Sequence, residues 1–432
     1  MAQASMPAAA PLSLAETTRK KITRRLIPLL MVLFVLNQID RVNISYAGLQ
    51  MTKELHFSNT TFGFGSGIFF LGYCIFDIPG TMLVALWSAR RIIAGLVIAW
   101  GIVATLSGFI SNAHEFYIAR FMLGAAEAPF FPGLLVYLSF WYPAKGRAKA
   151  VALFMTAMPI AQIIGAPISA ALLNIHWFGL TGWHWLLIIE GLPAVVLGIA
   201  TMLYLTEKPA QAEWLEPRER DWIIGELDRE HAQKNAERKY SVWEAVRHRE
   251  TILLAIVSFC GYNIQYGFTL WLPQMVQKMS GLSPVAVTLL SAIPWAVSWP
   301  FMLLMGWNSD RTDERRWHVA IPFFVGALGL GLARATDSVP LGLAAFTVAA
   351  IGINGRLPAF WSLPNSFFSG TAAAAVIATM NFIGIIGGFV GPYVVGFLSN
   401  KTGTYASAVA YLLGSAVLAG ILILFLRPRR SH

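Results

Sequence analysis

Twelve apolar runs, each long enough to cross a bilayer as a helix, constrain this chain more than any other feature. They occupy approximately 26–50, 61–87, 91–111, 115–140, 148–174, 183–205, 251–277, 285–307, 317–336, 340–361, 372–399 and 404–427. One crossing needs about 20 apolar residues. Of the 432 residues 56% are hydrophobic and only 12% charged, where an ordinary soluble domain carries about 25% charged residues. A water-soluble globule is excluded, and an all-α membrane protein with twelve transmembrane helices is expected. Cys74 and Cys260 both fall inside apolar runs, so neither a disulfide framework nor a thiolate metal cage is indicated.

The net charge of +10 is spread as short clusters between the runs, not as the continuous stripe that nucleic acid requires. Basic residues are retained on the cytoplasmic side of a membrane. With the N-terminus inside, 25 of the 32 Lys and Arg fall in cytoplasmic segments, four fall in external loops, and three (Arg41, Arg120 and Arg356) lie within spans. Both termini are therefore expected in the cytoplasm. No small-residue cleavage site follows a short apolar region near the N-terminus, which makes the first span an uncleaved one.

The expected organisation is a tail at 1–25, a six-helix bundle at 26–205, a polar cytoplasmic loop at 206–250, a second six-helix bundle at 251–427 and a tail at 428–432. Trp214, Trp222 and Ile223 on a charged background suggest a short amphipathic helix on the membrane surface; a solvated, partly helical linker is the alternative. An offset of 225 carries Arg90 and Arg91 onto Arg315 and Arg316, and Pro167 onto Pro392. These pairs stand at equivalent positions of the two halves, as expected for parallel repeats that leave a central site between them.

Ionisable groups within spans are functional candidates by default, because a charge at mid-bilayer is costly unless it is paired or faces water. Arg120 and Glu127 are seven residues apart, about two turns, and so share a helix face. Asp40 and Arg41 are adjacent and point apart, yet both border a cavity if the first helix lines one. A guanidinium stays charged and its donor fork matches a carboxylate, so Arg41 and Arg120 are the expected anion anchors. Asp40 and Glu127 are the expected proton carriers, with a purely structural pair as the alternative for Glu127. Asp77 is expected to be a structural acid near a helix end. Arg356 either binds a second carboxylate or snorkels to the cytoplasmic end. His114, His176 and His184, near external ends, are expected to be interfacial anchors.

The loop Gly306-Trp307-Asn308-Ser309-Asp310-Arg311, followed by Arg315 and Arg316, has the chemistry of a latch: an acid and a guanidinium cluster that bond across the two halves in one conformation and release in another. It resembles the signature loop of the major facilitator superfamily. In the first copy, Gly80 to Arg91, Leu86 and Trp87 replace the acid and its following arginine, so any gate made by Asp310, Arg311, Arg315, Arg90 and Arg91 is asymmetric. Asp40-Arg41-Val42-Asn43, Gly63-Phe64-Gly65 with Gly72-Tyr73, Arg120 to Gly124 with Glu127, Trp183-His184-Trp185, Glu190-Gly191-Leu192-Pro193, Trp317-His318 and Ser369-Gly370-Thr371 together resemble the anion:cation symporter family of that superfamily.

The resemblance implies a major facilitator fold of two six-helix halves and alternating-access, proton-coupled import of a small organic carboxylate, such as a tartrate-like diacid, a sugar acid or an aromatic acid. It places a multi-pass carrier in a bacterial inner membrane, with the lipid bilayer, protons and an organic anion as partners; a monomer is expected, although the sequence itself does not fix the oligomeric state. It also assigns Tyr73, Trp361 and Asn381 to the cavity, and Gln265 stands at the repeat equivalent of Asp40. Anion exchange and sodium coupling remain alternatives within transport, and a membrane sensor built on the same scaffold is the alternative of another class. No P-loop lysine, metal-ligand spacing or nucleophile–base constellation is present, so neither a cofactor nor enzymatic chemistry is expected.

Overall fold

In lipid every backbone N–H and C=O needs an internal partner, which is why apolar runs of this length fold as helices. The computed structural model describes residues 14–235, 242–368 and 370–426. The expected tail at 428–432, residues 1–13 of the other tail, residues 236–241 of the loop and Ser369 lie outside the described residues. Among the described residues twelve rods cross the molecule: α1 Leu14–Glu54, α2 Asn59–Leu86, α3 Ala89–Leu106, α4 Ala113–Ser139, α5 at 144–172, α6 Gly182–Tyr204, α7 Arg249–Ser280, α8 Pro284–Thr312, α9 Trp317–Arg334, α10 Val339–Phe367, α11 Gly370–Thr402 and α12 Ala406–Leu424. Eleven of them are long and apolar enough to span; α5 is divided at Thr156 into Ala144–Met155 and Ala157–Leu172, with its apolar part at Ile163–Leu172.

The exposed faces are apolar, as lipid demands. On α6, Leu192, Val196, Ile199 and Leu203 are all exposed at helical spacing, a single outward stripe. The pairs α3–α6, α2–α4 and α1–α5 of the first half recur as α9–α12, α8–α10 and α7–α11 in the second, the signature of parallel repeats. Between the halves α2 packs on α11 and α5 on α8, two contacts that the same repeat exchanges, while α1 runs against α7 at the centre.

These inter-half contacts gather toward the face opposite the one at which α1 begins and α12 ends. There α2 and α11 approach closely: a Cβ on Gly63 would lie 2.5 Å from the Pro392 carbonyl oxygen. Trp271 Nε1 donates to that carbonyl at 3.0 Å, Asn59 Nδ2 donates to Ser399 Oγ at 3.1 Å, and Phe64 meets Phe389 and Tyr393 edge-on. Moving inward, Phe70 lies 4.3 Å from the Tyr266 ring and Asn381 bonds Asp77 at 3.5 Å. Segment Ala157–Leu172 of α5, not Ala144–Met155, supplies the main contact with α8. The molecule is thus closed at the face opposite its termini.

The central loop packs in part against the first bundle. Helix Pro217–Asn235 buries Ile223 completely and is tied to α1, where Lys21 pairs with Glu219 at 2.8 Å and Arg19 lies over the Trp222 ring. Burial opposes ionisation of Glu219, but bonds from Lys21 and from the Glu216 backbone N–H outweigh it and hold the carboxyl below its ordinary range. Trp214 stacks on Trp141 and receives Arg25 on its ring. The partly helical character expected of this segment is seen in Pro217–Asn235 and Val242–Arg247, and of its apolar side chains Ile223 is covered by protein while Trp214 and Trp222 stay partly exposed.

Replacing Gly63 by valine should pry α2 from α11. Overpacking of this kind costs about 1–3 kcal/mol, so a cysteine at Ser399, 2% exposed in the parent, should react with a maleimide at least about fivefold faster in the Gly63→Val background once Cys74 and Cys260 are replaced by alanine. Equal rates would contradict closure at this contact.

Candidate functional site

Helix α1 separates its two adjacent charges. Arg41 faces the second half: its guanidinium sits 4.9 Å from the Tyr73 ring centroid, with Tyr266 of α7 beside it. Asp40 turns the other way, into the first bundle, fully buried, where Trp100 Nε1 and Asn43 Nδ2 each donate to it at 3.1 Å. The two therefore do not border one cavity.

Glu127 joins the two sides. It is fully buried and accepts from Arg41 Nε at 3.2 Å and Asn37 Nδ2 at 3.0 Å, both on its Oε2. Just beyond it α4 loosens at Ala128 and Pro129, both still in right-handed helical conformation, before regular helix resumes at Phe130, since proline has no N–H to give to the ladder. Arg120, on the same helix, does not snorkel. It is 3% exposed, packs 4.7 Å from the Phe69 ring centroid and has Glu127 and Asp40 as its acidic neighbours. Glu127 Oε1, Arg41 Nη2 and Arg120 Nε are buried without a hydrogen-bond partner. A small recess lined by Asn43, Arg120, Ser107 and Phe116 opens inside the first bundle.

Sequence reasoning passed over several members of this network. Glu190 of α6, 5% exposed, accepts from Ser169 Oγ at 2.7 Å and lies against Asn43; its mid-span position was the available signal. Asn37 and Trp100 carried none, since neutral polar residues in spans are common. Asp77 is not a helix-end acid near a latch but faces the second half one turn from Tyr73, bonded by Asn381, whose Oδ1 accepts from the Tyr262 hydroxyl at 2.9 Å. His184 is no lipid anchor. It is 8% exposed and knits α6 to Glu54 of α1 and to the Gly108 carbonyl.

In the second half α10 breaks at Arg356, between Gly355 and Leu357. The side chain is 1% exposed, so it does not snorkel; its Nη2 donates to the Gly261 carbonyl at 3.0 Å and to Gln265 Oε1 at 3.2 Å. Trp361, beyond the break, is half-buried and packs edge-on against Phe360. The structure thus brings Arg41, Tyr73, Asn381 and Gln265 to the α1, α2, α7 and α11 surfaces between the halves, and Asp40 and Arg120 into the first bundle.

The loop charges bond within their own halves. Arg315 pairs with Asp310, and Arg311 lies over Trp307. Arg316, the partner of Arg91 in the repeat, donates to the Leu424 and Leu426 carbonyls. The backbone N–H groups of Ala89 and Arg90 are capped by Glu207, and that of Arg91 by Ser88. Among the described residues none of these bonds crosses between halves, in keeping with closure at the other face.

Comparison with known proteins fits this architecture. The family model described as Major Facilitator Superfamily matches residues 30–392. A protein of Agrobacterium vitis named for tartrate transport is 42% identical over 408 residues, covering 94% of both chains. A Pseudomonas putida protein named as the metabolite transport protein NicT is 35% identical over 410 residues, with 94% and 93% coverage. The inner membrane transport protein RhmT of Escherichia coli is 34% identical over 421 residues, with 97% coverage of each. Among solved structures, a bacterial homologue of the human lysosomal transporter Spinster superposes with a TM-score of 0.74 at 18% identity over 94% of this chain and 95% of that one. Twelve helices in two repeated halves, the family match and these relatives together make the chain a multi-pass membrane transporter of the major facilitator superfamily.

Proposed function

We propose that the protein imports a small organic carboxylate with protons by alternating access, as a monomer in a bacterial inner membrane with both termini in the cytoplasm. The observation that carries this reading is the Arg41–Glu127 pair, a guanidinium facing the inter-half surface and held by a carboxylate with no exposure at all. A buried pair of this kind is easily disturbed, because neutralising one partner leaves the other uncompensated. Protonation of Glu127 would release Arg41, whose Nη2 already lacks a partner, to grip a substrate carboxylate beside Tyr73. Asp40, next to Arg120, serves as the second proton site. The relative named for tartrate transport supports an anionic cargo, and the basic loops support the orientation. In that orientation the closed face is the external one, so substrate leaves toward the cytoplasm, past loops whose charges would have to exchange their present bonds within each half to latch when the carrier turns over.

An inwardly directed proton gradient of one pH unit, acid outside, supplies about 1.4 kcal/mol per proton, enough for roughly tenfold accumulation at one proton per substrate. Proteoliposomes should accumulate labelled tartrate or another carboxylate of a mixed panel only under this gradient. Glu127→Gln and Asp40→Asn should abolish the gradient dependence. Unchanged gradient-driven uptake in both variants would overturn the coupling roles, and accumulation of neutral sugars but no carboxylate would overturn the cargo.

The pair also predicts a stability pattern. Arg41→Gln leaves Glu127 buried and unpaired and should destabilise the purified protein by about 3–5 kcal/mol. The double variant Arg41→Gln with Glu127→Gln should recover a large part of this, read as the melting temperature in detergent.

A further inference from the structure

We propose that Arg356 and Gln265 form a second anion subsite, in the second half, that takes the distal carboxylate of a short dicarboxylate whose other end is held by Arg41. This rests on the carboxylate-transport reading above and narrows it to one substrate class. Arg356 is a permanent charge with 1% exposure, and a charge so placed ordinarily has a counter-ion. Among the described residues it has no ion pair: its partners are the Gly261 carbonyl, the Gln265 amide oxygen and the face of Phe323, 5.1 Å away. In the first half the break in α4 presents Glu127 already paired with Arg41. The interruption in α10, the helix at the same place in the second half, presents a cation that still lacks its anion.

The surroundings are built around that cation. A Cβ at position 261 would lie 2.9 Å from Arg356 Nη1, so glycine here lets the guanidinium lie directly against α7. Gln265 is partly exposed, and because its amide oxygen is held by the guanidinium, its N–H groups are turned away from Arg356 and polarised as donors. Arg356 has Tyr262 beside it and Arg41 has Tyr266. These two rings stand on one turn of α7 with centroids 5.8 Å apart. The two cations therefore bracket a single helical turn, one from each half. A diacid bridging them would supply both halves with the charge each lacks once Glu127 is protonated, whereas a monoacid would satisfy only one.

The test is competition binding to the full chain in detergent, with a panel of four- to six-carbon diacids, tartrate included, each beside its own half-amide. The half-amide keeps the shape and removes one charge. At least one diacid should bind about tenfold more tightly than its half-amide. Arg356→Gln should bring that ratio below about threefold, with Arg356→Lys intermediate. Half-amides that bind the parent as tightly as the diacids, or an unchanged ratio in Arg356→Gln, would overturn the subsite while leaving carboxylate transport standing. If no acid of the panel binds, the carboxylate reading falls and the subsite with it. Should Arg356→Gln fail to fold, the ratio in the parent and its loss in Gln265→Leu decide the matter.

Discussion

A charge in hydrocarbon costs several kcal/mol unless it is paired or wetted, and the interior of this protein is arranged around that penalty. Arg41 and Glu127 answer it for each other at 3.2 Å. Asp40 is met by an indole and an amide, and Glu190 by a hydroxyl. Because these partners come from α1, α3, α4, α5 and α6, the polar network also determines which helices of the first half meet. A carrier needs such groups to be stable yet disturbable, and a buried pair joined through a single carboxylate oxygen has that property.

The positions of the charges are tied to backbone interruptions. Helices α4 and α10 occupy the same place in the repeat, and each breaks where a charged side chain is buried, Glu127 next to Pro129 in one and Arg356 before Pro358 in the other. Discontinuous helices near the interface of repeats are how transporter folds build ion and substrate sites. The buried charge differs in sign between the two helices, so the halves are alike in architecture and unlike in electrostatics.

Much of this was legible residue by residue. Twelve spans followed from hydropathy, because lipid leaves the backbone no alternative to helix. Arg41, Arg120, Asp40, Glu127 and Arg356 stood out because charge within a span is rare. Their partners did not: Asn37, Trp100 and Ser169 are ordinary residues for a membrane helix, and Asp77 lay close enough to a helix end to look structural. The loop arginines, too, read as a latch between halves from their composition, although in this conformation Arg316 closes α12 and Asp310 holds Arg315. Trp214, Trp222 and Ile223 looked like a lipid-facing stripe, since periodicity reports that a face is apolar without saying what covers it.

Period, length and the placement of basic residues were enough by themselves to determine that this chain is a bundle of twelve membrane helices in two related halves, because each of those properties is local to a segment. Which way Asp40 and Arg41 face, that Glu127 answers Arg41 and not Arg120, and that Gly63 and Gly261 are the points where backbone meets backbone or guanidinium were decided only by tertiary structure. Those outcomes depend on the rotation of each helix about its axis, and rotation is set by what the other helices present, through packing and charge pairing between residues 86 or 95 positions apart in the chain.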